Sequence, residues 1–479
     1  MTTIMWFRQD LRLADNPALL AAAARGPVLP IYILDDITPP ERWRLGGASR
    51  WWLHHSLSAL QQSLPSLVLM RGDPREILPR LARLPGVAAA FWNLCYEPWA
   101  IQNDAAIKSA LEAQGTATAT LNANLLNEPW RITNASGEPY RVFSAYWRAA
   151  NRRSPGAPSQ VPAVQRPEGS LPSERLEDWA LTPRQPDWAA GWGDLWQPGE
   201  AGAQTRLRRF LSERASGYAE LRSRMDLAVT STLSPHLHWG EISPRQILAQ
   251  LAATTKLSEA DATKYTSEIG WREFAYHVLF HHPDLPDRHW REAFDAYPYR
   301  EDAAALRAWQ RGQTGYPIVD AGMRQLWQTG WMHNRARMIT ASFLVKHLRI
   351  DWRVGEAWFW DTLVDADLAN NAMGWQWVTG SGADAAPYFR IFNPVTQGRK
   401  FDPEGTYIRT WCPELARLDA KDIHAPFEAP PALLAAAGVA LGQTYPRPIV
   451  EHRPARAAAL AAYEAVKRHG SRSAPSESE

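Results

Sequence analysis

With 479 residues the chain is too long for one ordinary domain, and two or three are expected. A net charge of only +2 excludes a global field that would gather a polyanion, while leaving room for a local basic surface. Two cysteines, Cys95 and Cys412, exclude a disulfide framework, and no apolar run reaches membrane-spanning length, so a soluble, cytoplasmic chain without a membrane partner is expected.

Over the first ~130 residues, apolar runs alternate with helical patterns. "TIMWF" reads as a strand, and "NPALLAAAA" as a helix with Asn16 at its N-cap and Pro17 in its first turn. "PVLPIYILDD", "SLVLMRGD", "GVAAAFWN" and "ATATLNANLL" supply further strands, with helices between them. This α/β pattern predicts a doubly wound parallel sheet over 1–130, with ligands beyond the strand ends near 7–10, 34–36 and 93–97. No glycine-rich dinucleotide or NTP fingerprint follows any strand. Residues 131–200 read as a connector, because eight prolines fall between 151 and 200. From 201 to 467 the spacing is helical throughout, predicting an all-α domain, and 468–479 reads as a disordered tail.

Chemistry-bearing residues concentrate in the helical part. Thr230, Ser231, Thr232 and Ser234 set four hydroxyls ahead of a helix, which reads either as an anion site or as a plain cap and turn. His236 and His238 lack a third ligand at metal spacing, so no metal is expected. Glu268, Trp271 and Arg272 share one helical face. Arg335, Arg337, Lys346, Arg349 and Arg353 make a basic stretch with interleaved tryptophans, either a phosphate grip or a solvated face. Between Asp365 and Pro394 stand Asp365, Asp367, Asn370 and Asn371, beside Trp375 and Trp377. A core would not choose such a group unless it served a ligand, because each unpaired buried polar group costs about 1–3 kcal/mol. The chain holds 24 tryptophans, which composition alone leaves open between core filler, base stacking and electron transfer.

"FRQDLRLADNPAL", "WREF", "GYPIVDAGMRQLWQTGWMHNRARMITASFLVKHL", "DADLANNAMGWQW" and "TGSGADAAPYFRIFNPVTQGRKFDPEGTYI" together closely resemble the photolyase–cryptochrome family, over nearly the whole chain. Within that family the likeness points to class I cyclobutane pyrimidine dimer photolyases. The resemblance implies a sheet domain that often holds an antenna chromophore, and a helical domain that holds FAD, active as FADH⁻. By matching position, Tyr218, Thr230, Ser231, Thr232, Leu233 and Ser234 hold the FAD phosphates. Arg272, Asn334, Arg337, Asp365, Asp367 and Asn371 complete the cofactor set, with Arg337 and Asp365 as an ion pair and Asn371 against flavin N5.

The implied partner is UV-damaged DNA, single- or double-stranded, and the implied state a monomer. Glu268 is implied to hydrogen-bond the flipped dimer, while Trp271 and Trp377 flank it. Asn334 and Met338 stand where (6-4) photolyases and animal cryptochromes carry histidines. Arg335, Arg390 and Lys400 match phosphate contacts. Trp375 and Trp352 match the first two members of the photoreduction relay. Its outer position holds Tyr299 instead of tryptophan, leaving Trp309, Trp358 and Trp360 as alternative ends. Trp99 and Ala100 replace the Asn-Glu pair of folate-binding members, so the antenna's identity stays open. The rival expectation is a cryptochrome-like photoreceptor without repair activity. The short segment after Arg456 and the dimer-pocket residues weigh against it.

Overall fold

Five strands, β1 (Thr2–Phe7), β2 (Val28–Leu34), β3 (Val68–Arg71), β4 (Val87–Asn93) and β5 (Ala117–Leu121), form one parallel sheet in the order β3-β2-β1-β4-β5. The structure, a computed structural model, describes residues 1–169, 171–385 and 389–473, the last five of these by backbone alone. The cause of the topology is visible in β2, whose 7 residues are all buried, as a strand covered on both faces requires. Helices Pro17–Ala23, Gly47–Ser63, Pro74–Ala82 and Pro98–Glu112 provide the crossovers. Asn16 caps the first of them by accepting from the Leu19 N–H, as expected. Strand order reverses at β1, where Trp6 pairs in register with Ile31 on one side and Trp92 on the other.

The chain separates into two compact units. The first comprises Met1–Ala219, Thr230–Pro283 and Val364–Ala369; the second comprises Glu220–Val229, Asp284–Leu363 and the chain from Asn370 on. The helical stretch 201–467 is therefore shared between them, and one boundary falls inside the helix Leu368–Thr379.

In the first unit the sheet is fastened to later helices by Arg12. Its buried guanidinium donates to the carbonyls of Ala14 (3.0 Å), Gly240 (2.8 Å), Asp15 (2.6 Å) and Ala123 (2.9 Å). Residue 240 must be glycine: its φ is +63°, and a Cβ there would meet the Gln9 carbonyl oxygen at 2.0 Å. The connector is irregular but not superficial. Its Trp192 and Trp196 are buried, edge-on to Trp51 and Trp52 at 5.3 and 5.4 Å between centroids.

In the second unit the helix Pro317–Thr329 ends at Gly330, left-handed at φ +67°, and Asn334–Ser342 follows. That helix runs on into a wide π turn, Phe343–Leu348. Asp320 is buried and saturated by Thr314 N–H and hydroxyl (both 2.6 Å), Gly315 N–H (3.0 Å) and Tyr445 hydroxyl (2.6 Å). The last helix, His452–Ser473, continues past residue 467, where a disordered tail was expected. Its alanine-rich stretch has the highest intrinsic helix propensity, which carries the turns onward. Residues 474–479 lie outside the described residues. Among the described residues no helix is long and apolar enough to cross a membrane.

Candidate functional site

The residues singled out in the sequence fall into two groups, one in each unit. In the first unit Tyr218 is buried edge-on to Phe210 and Tyr265, at 5.7 and 5.3 Å. Beyond it the segment 230–234 leads into a short helix, Ser234–His238. Thr232 sits at φ +50°, a conformation uncommon for a β-branched residue. Its hydroxyl donates to the Ser231 carbonyl (2.7 Å) and accepts from Arg206 (2.6 Å), a cation that no local motif announced. Among the described residues nothing accepts from the backbone N–H groups of Thr230, Ser231, Thr232 and Leu233. Successive free amides around a left-handed residue form a concavity for an anion. This segment therefore fits the phosphates of a dinucleotide cofactor.

Asp365 and Asp367 are both buried. Asp367 accepts from the Tyr276 hydroxyl, and His238 Nδ1 stands 3.5 Å away. Burial pushes the Asp367 carboxyl upward, but His238, Arg272 and Tyr276 together hold it well below the usual carboxylate range. His238 thus serves a carboxylate. Arg272 donates to the carbonyls of Asn124 (2.6 Å) and Leu237 (3.4 Å) and lies 5.0 Å over the Tyr276 ring. Glu268 is paired with Lys264 at 3.0 Å. Trp271 stacks on Phe143, centroids 3.8 Å apart and planes 11° apart, so one indole face is already taken.

In the second unit Asn371 donates one N–H of Nδ2 to the Glu356 carbonyl at 3.1 Å, which orients the amide with Oδ1 able to accept from a ligand. Trp375 is buried between Phe359 (5.0 Å) and Trp309 (6.3 Å). It also presses on Gly355, where a Cβ would meet the indole at 2.1 Å. Trp352 is fully buried at the start of the helix Trp352–Thr362, and among the described residues no partner accepts from either indole N–H of Trp352 or Trp375. Trp377 is half-buried and donates to the Asp384 carbonyl at 3.2 Å.

Asn334 is exposed at the first position of its helix, with Met338 half-buried one turn on. Arg337 donates to the Met332 carbonyl at 2.8 Å. Arg335 donates to Ser223 at 3.1 Å and lies 4.3 Å over Phe401, with Lys400 5.3 Å over the same ring. Burial, then the charges of Arg222 and Arg390, lower the Arg335 pKa to about 10. Such crowding of cations suits an anionic partner.

Tyr299, the expected outer end of the relay, has a neighbour that the sequence did not disclose. The Tyr299 hydroxyl lies 3.4 Å from His289 Nε2, and the imidazole lies 5.7 Å from the Trp352 ring. His289 was not legible as a participant, because nothing near "DRHW" distinguishes it from a core histidine. Of the alternative ends, Trp309 is fully buried and touches Trp375, so it cannot be the solvent terminus. Trp360 is buried as well, whereas Trp358 stacks on Trp327, which is 52% exposed.

The strand ends expected to receive a second chromophore are largely occupied by internal pairs. Arg8 bonds Asp104 (2.8 and 3.0 Å), Gln9 bonds Glu97 (2.6 Å), and Asp36 takes both Arg50 and Arg71.

Two family models match the chain: DNA photolyase over residues 3–167, and the FAD binding domain of DNA photolyase over residues 265–465. A deoxyribodipyrimidine photo-lyase of Agrobacterium fabrum is 51% identical over 97% of this chain and 98% of its own length. Cryptochrome-1 of Arabidopsis thaliana is 39% identical over 94% of this chain and 68% of its own length. A solved bacterial class III photolyase from Agrobacterium tumefaciens matches with a TM-score of 0.94 at 51% identity, covering 98% of each chain. The class I expectation finds no support, since the solved relative at that identity and coverage is of class III. The parallel-sheet domain and the helical, FAD-binding domain are the architecture of these relatives, and the chain belongs to the photolyase–cryptochrome family.

Proposed function

We propose that this chain is a class III deoxyribodipyrimidine photo-lyase that splits cyclobutane pyrimidine dimers in UV-damaged DNA under light. Bound FAD, in its reduced anionic form, supplies the photochemistry, giving one electron to the dimer and regaining it once the ring opens. The observation that carries the reading is the run of unshared backbone N–H groups from Thr230 to Leu233 around left-handed Thr232, which suits a pyrophosphate. In this reading Tyr218 and Ser234 border that cradle. Arg337 and Asp365 are the charged residues assigned to the flavin ring. Asn371 offers Oδ1, an uncharged acceptor, because its Nδ2 is held by Glu356. An acceptor suits the N–H that a reduced flavin carries at N5, and it adds no charge.

Substrate recognition falls to Glu268, Trp271, Asn334, Met338 and Trp377. The dimer must leave the stack, which costs about a few kcal/mol and least for a damaged pair. Glu268, paired with Lys264 in the free protein, turns to the extruded bases, with the exposed faces of Trp271 and Trp377 as apolar walls. Arg335, Arg390 and Lys400 take backbone phosphates, so binding weakens with salt. The test is repair of thymine-dimer DNA by the reduced holoprotein. Restoration is expected under near-UV or blue light and not in the dark. No restoration with flavin bound would leave the photoreceptor reading, and repair of (6-4) lesions in place of cyclobutane dimers would overturn the substrate.

A further inference from the structure

The outer end of the relay poses a chemical problem, and the hydrogen bonds around it answer it. An indole can be oxidised and keep its proton for a time. A phenol cannot, because the oxidised phenol is a far stronger acid than an imidazolium. Tyr299 therefore needs a base at its hydroxyl. Burial first, then Asp351 and Tyr297, raise its pKa well above the ordinary tyrosine value, against Arg353, so it begins as the neutral phenol.

The only base within reach among the described residues is His289 Nε2, at 3.4 Å, with the two ring planes 6° apart. That distance is at the long end for a hydrogen bond, so the state of the imidazole has to be fixed by its other contacts. Gln376 decides it. Its Nε2 donates to the carbonyls of Leu285 (2.7 Å) and Arg288 (2.6 Å), which sets the amide orientation. Its Oε1 is then the acceptor for Trp290 N–H (2.7 Å) and for the Ser381 hydroxyl (3.3 Å). With its proton directed to Gln376 Oε1, Ser381 accepts from His289 Nδ1 at 2.9 Å, and this is the arrangement the proposal takes. Nδ1 therefore carries the imidazole proton, and Nε2 presents a lone pair to Tyr299. Burial, then Arg353, lower the His289 pKa to about 3, so the ring is neutral.

We propose that Tyr299 and His289 form the terminal donor of the relay as a proton-coupled pair, with Ser381 and Gln376 as the residues that fix the imidazole tautomer. The radical cation of Trp352 takes one electron from Tyr299 and returns to neutral indole. The phenolic proton moves from Tyr299 to His289 Nε2, leaving a neutral tyrosyl radical and an imidazolium. A soluble thiolate then gives one electron, itself becoming a thiyl radical, as the proton returns from His289 Nε2 and the tyrosine is restored. His289, 5.7 Å from the Trp352 ring and 3.4 Å from the Tyr299 hydroxyl, neighbours both donor and acceptor as well as accepting the proton. The inference rests on the flavin-photoenzyme reading, since light-driven oxidation of Trp375 and Trp352 must come first.

The test is flash spectroscopy and electron paramagnetic resonance on the oxidised holoprotein. A tyrosyl radical should follow the indole radical, and its formation should slow in deuterated water. His289→Phe should abolish the tyrosyl signal while the indole radical still forms. The double variant His289→Phe/Tyr299→Trp should regain a long-lived outer radical, because indole needs no base at once; a merely structural role for His289 would not permit that rescue. Nitrogen-15 spectra of histidine-labelled holoprotein in the dark should show His289 neutral and protonated at Nδ1 between about pH 5 and 8. Protonation at Nε2, or an undiminished tyrosyl signal in His289→Phe, overturns the pair. An indole radical without a tyrosyl radical in the unaltered protein overturns this inference alone, whereas no radical at all overturns the flavin reading with it.

Discussion

Two buried polar regions of the first unit behave in opposite ways. At the end of β1 and β4, Asn93 donates to Asp10 (2.6 Å) and Asn16 (2.7 Å) and accepts from Ala18 N–H (3.2 Å), while Arg12 spans four carbonyls. Each of these groups answers another within the chain. In the segment 230–233 the backbone donors answer nothing among the described residues, although Thr232 is left-handed. The first pattern is that of a scaffold, in which polar groups are buried because they are satisfied. The second is that of a receptor, in which the fold bears an unmet demand until a ligand arrives. The strand ends, though they look like a binding crevice by topology, belong mostly to the first kind.

The contrast can be broken by mutation. The largest effect is expected for Arg12→Ala, which orphans four buried carbonyls and should lower stability by about 3 kcal/mol in urea unfolding. A change below about 0.5 kcal/mol would mean that these bonds are not the clamp they seem.

Acidification is a separate axis, because it acts on several buried groups at once. Burial lowers the pKa of His277 to about 4, His289 to about 3, His333 to about 4 and His347 to about 3, from 6.5. Below pH 6.5 the unfolded chain binds protons that the native imidazoles refuse, so stability is lost as pH falls toward 4. Each histidine contributes up to about 1.4 kcal/mol per pH unit. Glu273, pushed up to about 7 by burial, and Asp402, up to about 6, oppose this, since their native forms hold protons that the unfolded chain releases. Four imidazoles outweigh two carboxyls, so the thermal midpoint should drop between about pH 6.5 and 4.5; a rise would show that the imidazoles are charged in the fold.

The smallest effect is expected for Thr232→Gly. Glycine relieves the left-handed strain, worth about 1 kcal/mol, and keeps every amide of the cradle. Flavin retention, followed by absorbance after gel filtration, should survive. Its loss would assign the binding to the Thr232 hydroxyl and Arg206 in place of the backbone.

The sheet was legible because its strands are continuous apolar runs and its first helix carries Asn16 before Pro17. The helical part was legible by its spacing, and the segment 230–234 stood out by four hydroxyls in five positions, which sequence alone left open between an anion site and a plain cap. What escaped was whatever depends on distant packing. The π turns at Phe210–Arg214 and Phe343–Leu348 have no local signature, since an i→i+5 bond is imposed by neighbours. The chain His289–Ser381–Gln376 joins residues some 90 positions apart, and no window of sequence holds it. The connector's prolines announced irregular backbone correctly but concealed that Trp192 and Trp196 are core.

Gly355 has neither charge nor hydrogen-bonding side chain, yet it sets how closely the Trp375 indole nestles against its helix. Tunnelling rates fall steeply with separation, so a single methyl group at this position would be read out as kinetics before it was noticed as stability. A residue with no chemistry of its own would thereby govern the pace of the proposed relay.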